Sequence, residues 1–206
     1  MMRTVNLAVV SAGLSVPSST RLLADRLAAA SATALRDHGI EPEVRVVELR
    51  EHARDLADHL VTGFPNADLR ATLDTVTGAD GLIAVTPIFA ASFSGLFKTF
   101  FDVIEEDALT GKPVLLGATA GTARHSLALE HAMRPLFAHL RTITVPTGVL
   151  AAAEDWGAAD GVSSSLAERI DRAGGELAEL IAARPHATKA DPFADVIPFE
   201  ALLHRV

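Results

Sequence analysis

Val5-Asn6-Leu7-Ala8-Val9-Val10 runs directly into Ser11-Ala12-Gly13-Leu14-Ser15-Val16-Pro17-Ser18-Ser19-Thr20, and the chain then continues Arg21-Leu22-Leu23. The apolar hexad reads as a strand buried on both faces. Beyond it, Leu23, Leu27, Ala30 and Ala34 recur at the spacing of one helix face. The segment between is mostly hydroxyls and small residues. A strand that empties into such a loop at a helix start makes an anion site. The first N–H groups of the helix have no intrahelical partner, and its dipole favours negative charge there. Ser11, Ser15, Ser18, Ser19 and Thr20 add side-chain donors. The same loop also reads as an ordinary helix cap supplied by Ser18 or Ser19.

Strand and helix go on alternating downstream. After a stop at Gly39, residues 43–49 partly alternate, as a strand near a sheet edge does. Residues 51–61 read as a helix, and Gly63-Phe64-Pro65-Asn66 breaks it. Asn66 then caps a short helix carrying Leu69, Leu73 and Val76. Gly81-Leu82-Ile83-Ala84-Val85-Thr86 is the next buried strand. It leads through Pro87-Ile88-Phe89-Ala90-Ala91-Ser92-Phe93-Ser94-Gly95, read as a loop, into a helix with Leu96, Phe97, Phe100, Phe101 and Ile104. Gly111-Lys112-Pro113 turns the chain into strand 114–119, followed by a third small-residue loop, Ala120-Gly121-Thr122-Ala123-Arg124-His125. A helix with Leu129, Met133, Leu136 and Leu140 is kinked near Pro135. A fifth strand spans 142–150, and Leu166, Ile170, Leu177 and Ile181 mark a last long helix. Residues 1–183 read as one domain, with 184–206 an extension packed on it or on a partner subunit.

Five alternations predict a parallel sheet covered by helices on both faces. In such sheets ligands bind beyond the carboxyl ends of the strands, where strand order reverses. The loops after the first, third and fourth strands are small, hydroxyl-rich and glycine-bearing, so together they point to a mononucleotide site.

Composition removes other classes. Of 206 residues 49% are hydrophobic and 21% charged, as in an ordinary α/β protein. The net charge of −8 and the lack of a basic cluster argue against nucleic acid. No apolar run has the length of a membrane span and no signal-peptide pattern is seen, so a cytoplasmic location is expected. The chain has no Cys, hence no thiolate nucleophile or iron–sulfur ligation, and no Tyr. Its histidines lack metal-ligand spacing. The serine-hydrolase elbow, the dinucleotide fingerprint and the phosphate-loop lysine motif are all missing.

Through Ser11 to Arg21, Thr86-Pro87-Ile88-Phe89 to Ser92-Phe93-Ser94-Gly95-Leu96-Phe97-Lys98, and Gly111-Lys112-Pro113 to Arg124-His125, the chain resembles the NADPH-dependent FMN reductase family. It is most similar to the members that partner luciferase-like flavin monooxygenases, the Asp191-Pro192-Phe193 and Pro198-Phe199-Glu200 tail adding to that likeness. The resemblance implies a flavodoxin-like three-layer sandwich with a five-stranded parallel sheet in the order 2-1-3-4-5. It also implies FMN as cofactor and NADPH or NADH as hydride donor. Ser11, Ser18, Ser19 and Thr20 would hold the FMN phosphate. Pro87, Ile88, Phe89 and Ser92 would line the ribityl chain and ring, and Thr119, Ala120, Gly121 and Thr122 would meet its polar edge. Two departures stand out: Ser15 where the family often has Arg, and Phe89 where it often has Tyr.

The reading this supports is hydride transfer from NADPH to FMN, with reduced flavin supplied to a two-component monooxygenase. Alternatives are a flavin-dependent quinone, azo or metal-oxyanion reductase, and a flavodoxin-type electron carrier. The apolar stripe of helix 95–104 suggests a homodimer contact. Arg124-His125 reads either as a flavin or NADPH-phosphate contact or as an exposed first-turn pair. Trp156 reads as a surface-loop anchor or as a cover for a neighbouring subunit's flavin.

Overall fold

The computed structural model describes residues 3–156 and 164–184. Its elements run β1 (Arg3–Ser11), α1 (Ser19–Asp37), β2 (Ile40–Glu48), α2 (Ala53–Thr62), α3 (Ala67–Thr77), β3 (Gly81–Phe89), β4 (Ser92–Phe93), α4 (Gly95–Asp102), β5 (Pro113–Ala120), α5 (Arg134–His139), β6 (Ile143–Thr144), β7 (Val149–Ala152) and α6 (Ser164–Ala182). The expected extension, 184–206, lies outside the described residues from 185 onward.

The sheet is ordered β2-β1-β3-β5, with β6 and β7 sharing the place beyond β5. All of these pairs are parallel. The expected order is therefore present, but the sheet has seven strands, not five. One extra strand arises because the expected strand 142–150 is split. Pro146, which has no N–H to give a ladder, falls between β6, which pairs with Pro113 and Val114, and β7, which pairs with 117–120. The other is β4. Residues expected to form a loop after β3 instead fold back as a hairpin, with Ile88 opposite Phe93 and Phe89 opposite Ser92. Its two turn residues, Ala90 and Ala91, both have positive φ (48° and 66°). That is the backbone of a two-residue hairpin turn, made here without the usual Asn-Gly.

Alternation along each central strand sends side chains into two cores. Ala8, Val10, Leu82, Ala84 and Leu116 pack under Leu56, Leu69, Val76 and the phenylalanines of α4. Leu7, Val9, Ile83, Val85 and Leu115 pack under α1 and α6. Phe97, Phe101 and Phe137 form a ring cluster with centroids 4.8 to 6.2 Å apart. Phe97, Phe100 and Phe101 are all buried in their own chain, so the aromatic stripe of α4 leaves no surplus to explain by a second subunit.

Pro135 lies in the second position of α5, just after a π-helical turn at Leu129–Met133. A proline cannot donate to the carbonyl four residues back, and the wider turn accommodates that loss. No helix among the described residues is long and apolar enough to cross a membrane.

Candidate functional site

The carboxyl ends of β1, β3, β5 and β7 open onto one cavity of about 500 Å³. The first loop contributes Leu14, Ser15, Ser18, Ser19 and Thr20. The end of β3 contributes Pro87, Ile88 and Phe89, and the end of β5 contributes Thr119, Ala120 and Gly121. Ala153 and Trp156, on the short turn after β7, complete it. Its size is that of a site for one small ligand.

Ser18 is the N-cap of α1, with extended backbone and a hydroxyl that accepts the Arg21 N–H at 3.2 Å. The capping reading of the loop is thus correct, and it is compatible with the anion reading. A cap satisfies one first-turn N–H and leaves those of Ser19 and Thr20, both cavity-lining residues, without an intrahelical partner. Gly13 makes the loop possible: a Cβ there would overlap Ser18 Oγ and lie 3.2 Å from Thr20 Cβ. Thr20 is buried, and its hydroxyl is 2.7 Å from the Thr119 hydroxyl, so the start of α1 and the end of β5 are joined side chain to side chain.

Three expected contact residues fall elsewhere. Ser11 is buried within β1, in register with Val85, and does not line the cavity. Ser92 is half-buried on the return strand of the hairpin, which the loop expectation did not foresee. Thr122 caps the turn Ala123–His125, its hydroxyl accepting the Arg124 N–H at 3.4 Å. Ser15, read as a donor of the anion loop, lines the cavity, and Leu14, Ala153 and Trp156 line it without having been assigned to this subunit's site. For Trp156 the available signal was its position just past a strand's carboxyl end.

Among the described residues, no charged side chain lines the cavity. The cation next in sequence to the loop, Arg21, is engaged elsewhere. Its Nε donates to Asp25 at 2.7 Å and its Nη1 to Glu48. The Asp25 hydrogen bond raises the Arg21 pKa against the opposing effect of burial, and Glu48 adds to the rise. Burial pushes Glu48 up, but Arg50, 2.6 Å away, and Arg21 outweigh it and hold the carboxyl below its ordinary range. Arg124 is exposed and His125 half-buried on the turn beyond Gly121.

The donor set fits a flavin mononucleotide. Hydroxyls and helix-start amides gather at one end, as a phosphate requires. Leu14, Ile88, Phe89 and Trp156 give apolar surface for a flat ring. Gly121 is exposed, and a Cβ there would meet nothing in the protein within 4 Å, so its bareness leaves room beside the β5 end.

A family model described as NADPH-dependent FMN reductase matches residues 5–157. The chain belongs to that family. Among this family's proteins, an FMN reductase (NADPH) of Pseudomonas aeruginosa is 38% identical over 87% of this chain and 94% of its own length. The NADH-dependent FMN reductase SfnE of Pseudomonas putida is 38% identical over 92% of this chain and 98% of its own. The crystal structure of an oxidoreductase from Corynebacterium diphtheriae superposes with a TM-score of 0.83 at 47% identity, covering 89% of this chain and 99% of that one. The matched region of the family model includes every loop of the cavity and ends one residue beyond Trp156.

Proposed function

We propose that this NAD(P)H-dependent FMN reductase holds FMN in the cavity, reduces it, and releases it to a separate monooxygenase of the luciferase-like kind. The observation that carries the site assignment is the convergence of the loops expected after the first, third and fourth strands on one cavity that is uncharged among the described residues, with Thr20 and Thr119 bonded beside it. Bound FMN supplies the hydride acceptor. The chain's own residues bind and orient. Ser18, Ser19 and Thr20 hold the phosphate with hydroxyls and helix-start amides. Ile88 and Phe89 keep water from the ring. Amides at 119–121 would supply donors to negative charge on the reduced flavin. No side chain is asked to act as general acid or base.

Phe89 is 49% exposed, which supports an open mouth where a nicotinamide ring can approach. The relatives carry both NADPH and NADH in their names, and the assignment here is to reduced nicotinamide as a class. The lack of a charged clamp among the described lining residues favours an exchangeable flavin over a permanently held one. Consumption of reduced nicotinamide fits action in the cytoplasm. A homodimer belongs to the same reading, its basis moved from α4 to exposed Val61 (88%) and Phe64 (76%) near the end of α2. Monomeric behaviour at micromolar concentration would remove that element.

Anaerobic NADPH and NADH oxidation by the purified protein, with and without added FMN, tests the whole. The expected result is oxidation proportional to FMN, with reduced flavin recovered in the filtrate and usable by a monooxygenase across a dialysis membrane. Turnover only with an added quinone would shift the assignment to a direct acceptor reductase. No turnover with either would leave an electron carrier.

A further inference from the structure

Trp156 has two sides to its environment. It packs against the core layer between α1 and α6, and it lines the cavity. The turn that carries it, Ala153–Trp156, is fastened at both ends of its carboxylate. Asp155 Oδ2 accepts the Ala152 N–H at 2.9 Å, and Asp155 Oδ1 lies 3.5 Å from the Arg169 guanidinium on α6. Arg169 also donates to the Leu150 carbonyl at 2.7 Å. An indole seated in the core on one side and fixed through its turn is a rigid wall.

We propose that Trp156 is a contact residue for the flavin bound in its own subunit, forming with Phe89 the aromatic surface of the cavity. The proposal rests on the FMN reading of that cavity and specifies what holds the ring. Among the described residues the cavity has no charged side chain, and its hydroxyls come from the first loop, the start of α1 and the end of β5. A planar three-ring heterocycle therefore has to gain its affinity from apolar and aromatic contact. Among the described residues, Phe89 and Trp156 are the two aromatic side chains available for that in the lining. A volume of about 500 Å³ suits one mononucleotide, so the ligand gripped by Ser18 and Thr20 also reaches the indole. Trp156 is thus neither a plain surface anchor nor a cover for a neighbour's flavin.

The composition of the chain supplies an unusually clean test. An excited flavin is quenched when it takes an electron from an indole or phenol in van der Waals contact and returns it, with no net reaction; a phenyl ring does not donate. The chain has one Trp and no Tyr. Trp156 is therefore its sole residue able to darken bound FMN by this route. FMN is first shown to bind by ultrafiltration and by flavin anisotropy. Its emission in the bound state is then compared between the wild-type protein and W156F, a variant that keeps an aromatic wall.

Dark FMN on the wild type and bright FMN on W156F are expected. Trp156→Ala should raise the KM for FMN about tenfold while leaving the KM for NAD(P)H unchanged, and W156F should restore most of the loss. Equal brightness in wild type and W156F would overturn the contact. So would a Trp156→Ala effect confined to the KM for NAD(P)H. Recovery of quenching when W156F is mixed with excess Ser18→Ala/Thr20→Ala protein, which retains Trp156, would move the contact to a neighbouring subunit and also overturn it. The cavity reading fails separately. If Ser18→Ala/Thr20→Ala binds FMN as the wild type does, the ligand is not in this cavity. If that variant loses FMN while wild-type emission stays bright, the cavity stands and the Trp156 contact alone is rejected.

Discussion

The hydroxyls of Thr20 and Thr119, ninety-nine positions apart in the chain, lie 2.7 Å from each other with both residues buried. One belongs to the first turn of α1 and the other to the end of β5. Their bond sets the spacing between the loop assigned to the phosphate and the loop assigned to the ring. Losing one partner leaves the other buried residue's hydroxyl without this bond, at roughly 1–3 kcal/mol, whereas replacing both by apolar groups of the same shape is close to neutral. Thr119→Val should therefore lower urea-unfolding stability by that amount, and Thr20→Val likewise. The double variant should be more stable than the sum of the two losses implies. Strict additivity would show that the pair is not coupled.

Ser18 and Ser19 separate capping from ligand binding. Ser18 caps α1 and Ser19 is exposed at its first position. Ser18→Ala should lower stability by about 1 kcal/mol and also weaken FMN. Ser19→Ala should weaken FMN with stability changed by less than about 0.5 kcal/mol. Riboflavin, which lacks the phosphate, should bind both variants as it binds the wild type. The Ser18→Ala/Thr20→Ala variant should lose at least about tenfold in FMN affinity. An unchanged dissociation constant would return the loop to a purely structural role.

Gly121 tests the third loop. It is exposed, its φ is not positive, and a Cβ there has no neighbour within 4 Å, so the apo fold tolerates a side chain. Gly121→Val should leave the unfolding midpoint within a degree or two of wild type, on the scale of a surface change. FMN binding or flavin reduction should nevertheless fall, because the isopropyl group occupies space beside the β5 end. Normal values for both would reject the loop as a flavin contact.

Much of this layout was legible because the apolar runs of β1, β3 and β5 are buried on both faces and bounded by glycine and hydroxyl punctuation. The cap of α3 by Asn66, at 2.8 Å to the Leu69 N–H, was readable for the same reason. What escaped reading was tertiary or carried no local signal. The 88–93 hairpin turns on Ala90-Ala91, residues that ordinarily avoid positive φ, so no turn chemistry announced it. Pro146 sat inside a run apolar enough to look continuous, and only the pairing shows it divides β6 from β7. Ser11 looked like a loop donor because strand ends are uncertain by a residue or two; β1 carries on through it and buries it. Trp156 follows a strand end by four residues, and spacing alone cannot tell a surface ring from one turned toward a cavity.

Lys112 gives a prediction about stability far from the cavity, at the amino end of β5. It is 7% exposed and donates its Nζ to the Thr77 carbonyl at 3.2 Å and to the Ala79 carbonyl. Burial lowers its pKa to about 8 from 10.5, with Asp80 opposing the shift and Arg184 adding to it. Below pH 8 the lysine is charged in both the folded and unfolded chain, and the full cost of burying that charge is present. Between about 8 and 10.5 the folded lysine is neutral while the unfolded one still holds its proton. The unfolded state then binds more protons, so stability rises with pH across that window and levels off above it. At about 1.4 kcal/mol per pKa unit the rise is at most on the order of 3 kcal/mol. Lys112→Met removes the titration and the two carbonyl bonds together. It should be less stable than wild type at pH 10, and the gap should narrow by up to that amount as pH falls to 7. Urea unfolding of both proteins at pH 7, 8.5 and 10 measures it, and parallel stability profiles would show that the lysine keeps its ordinary pKa.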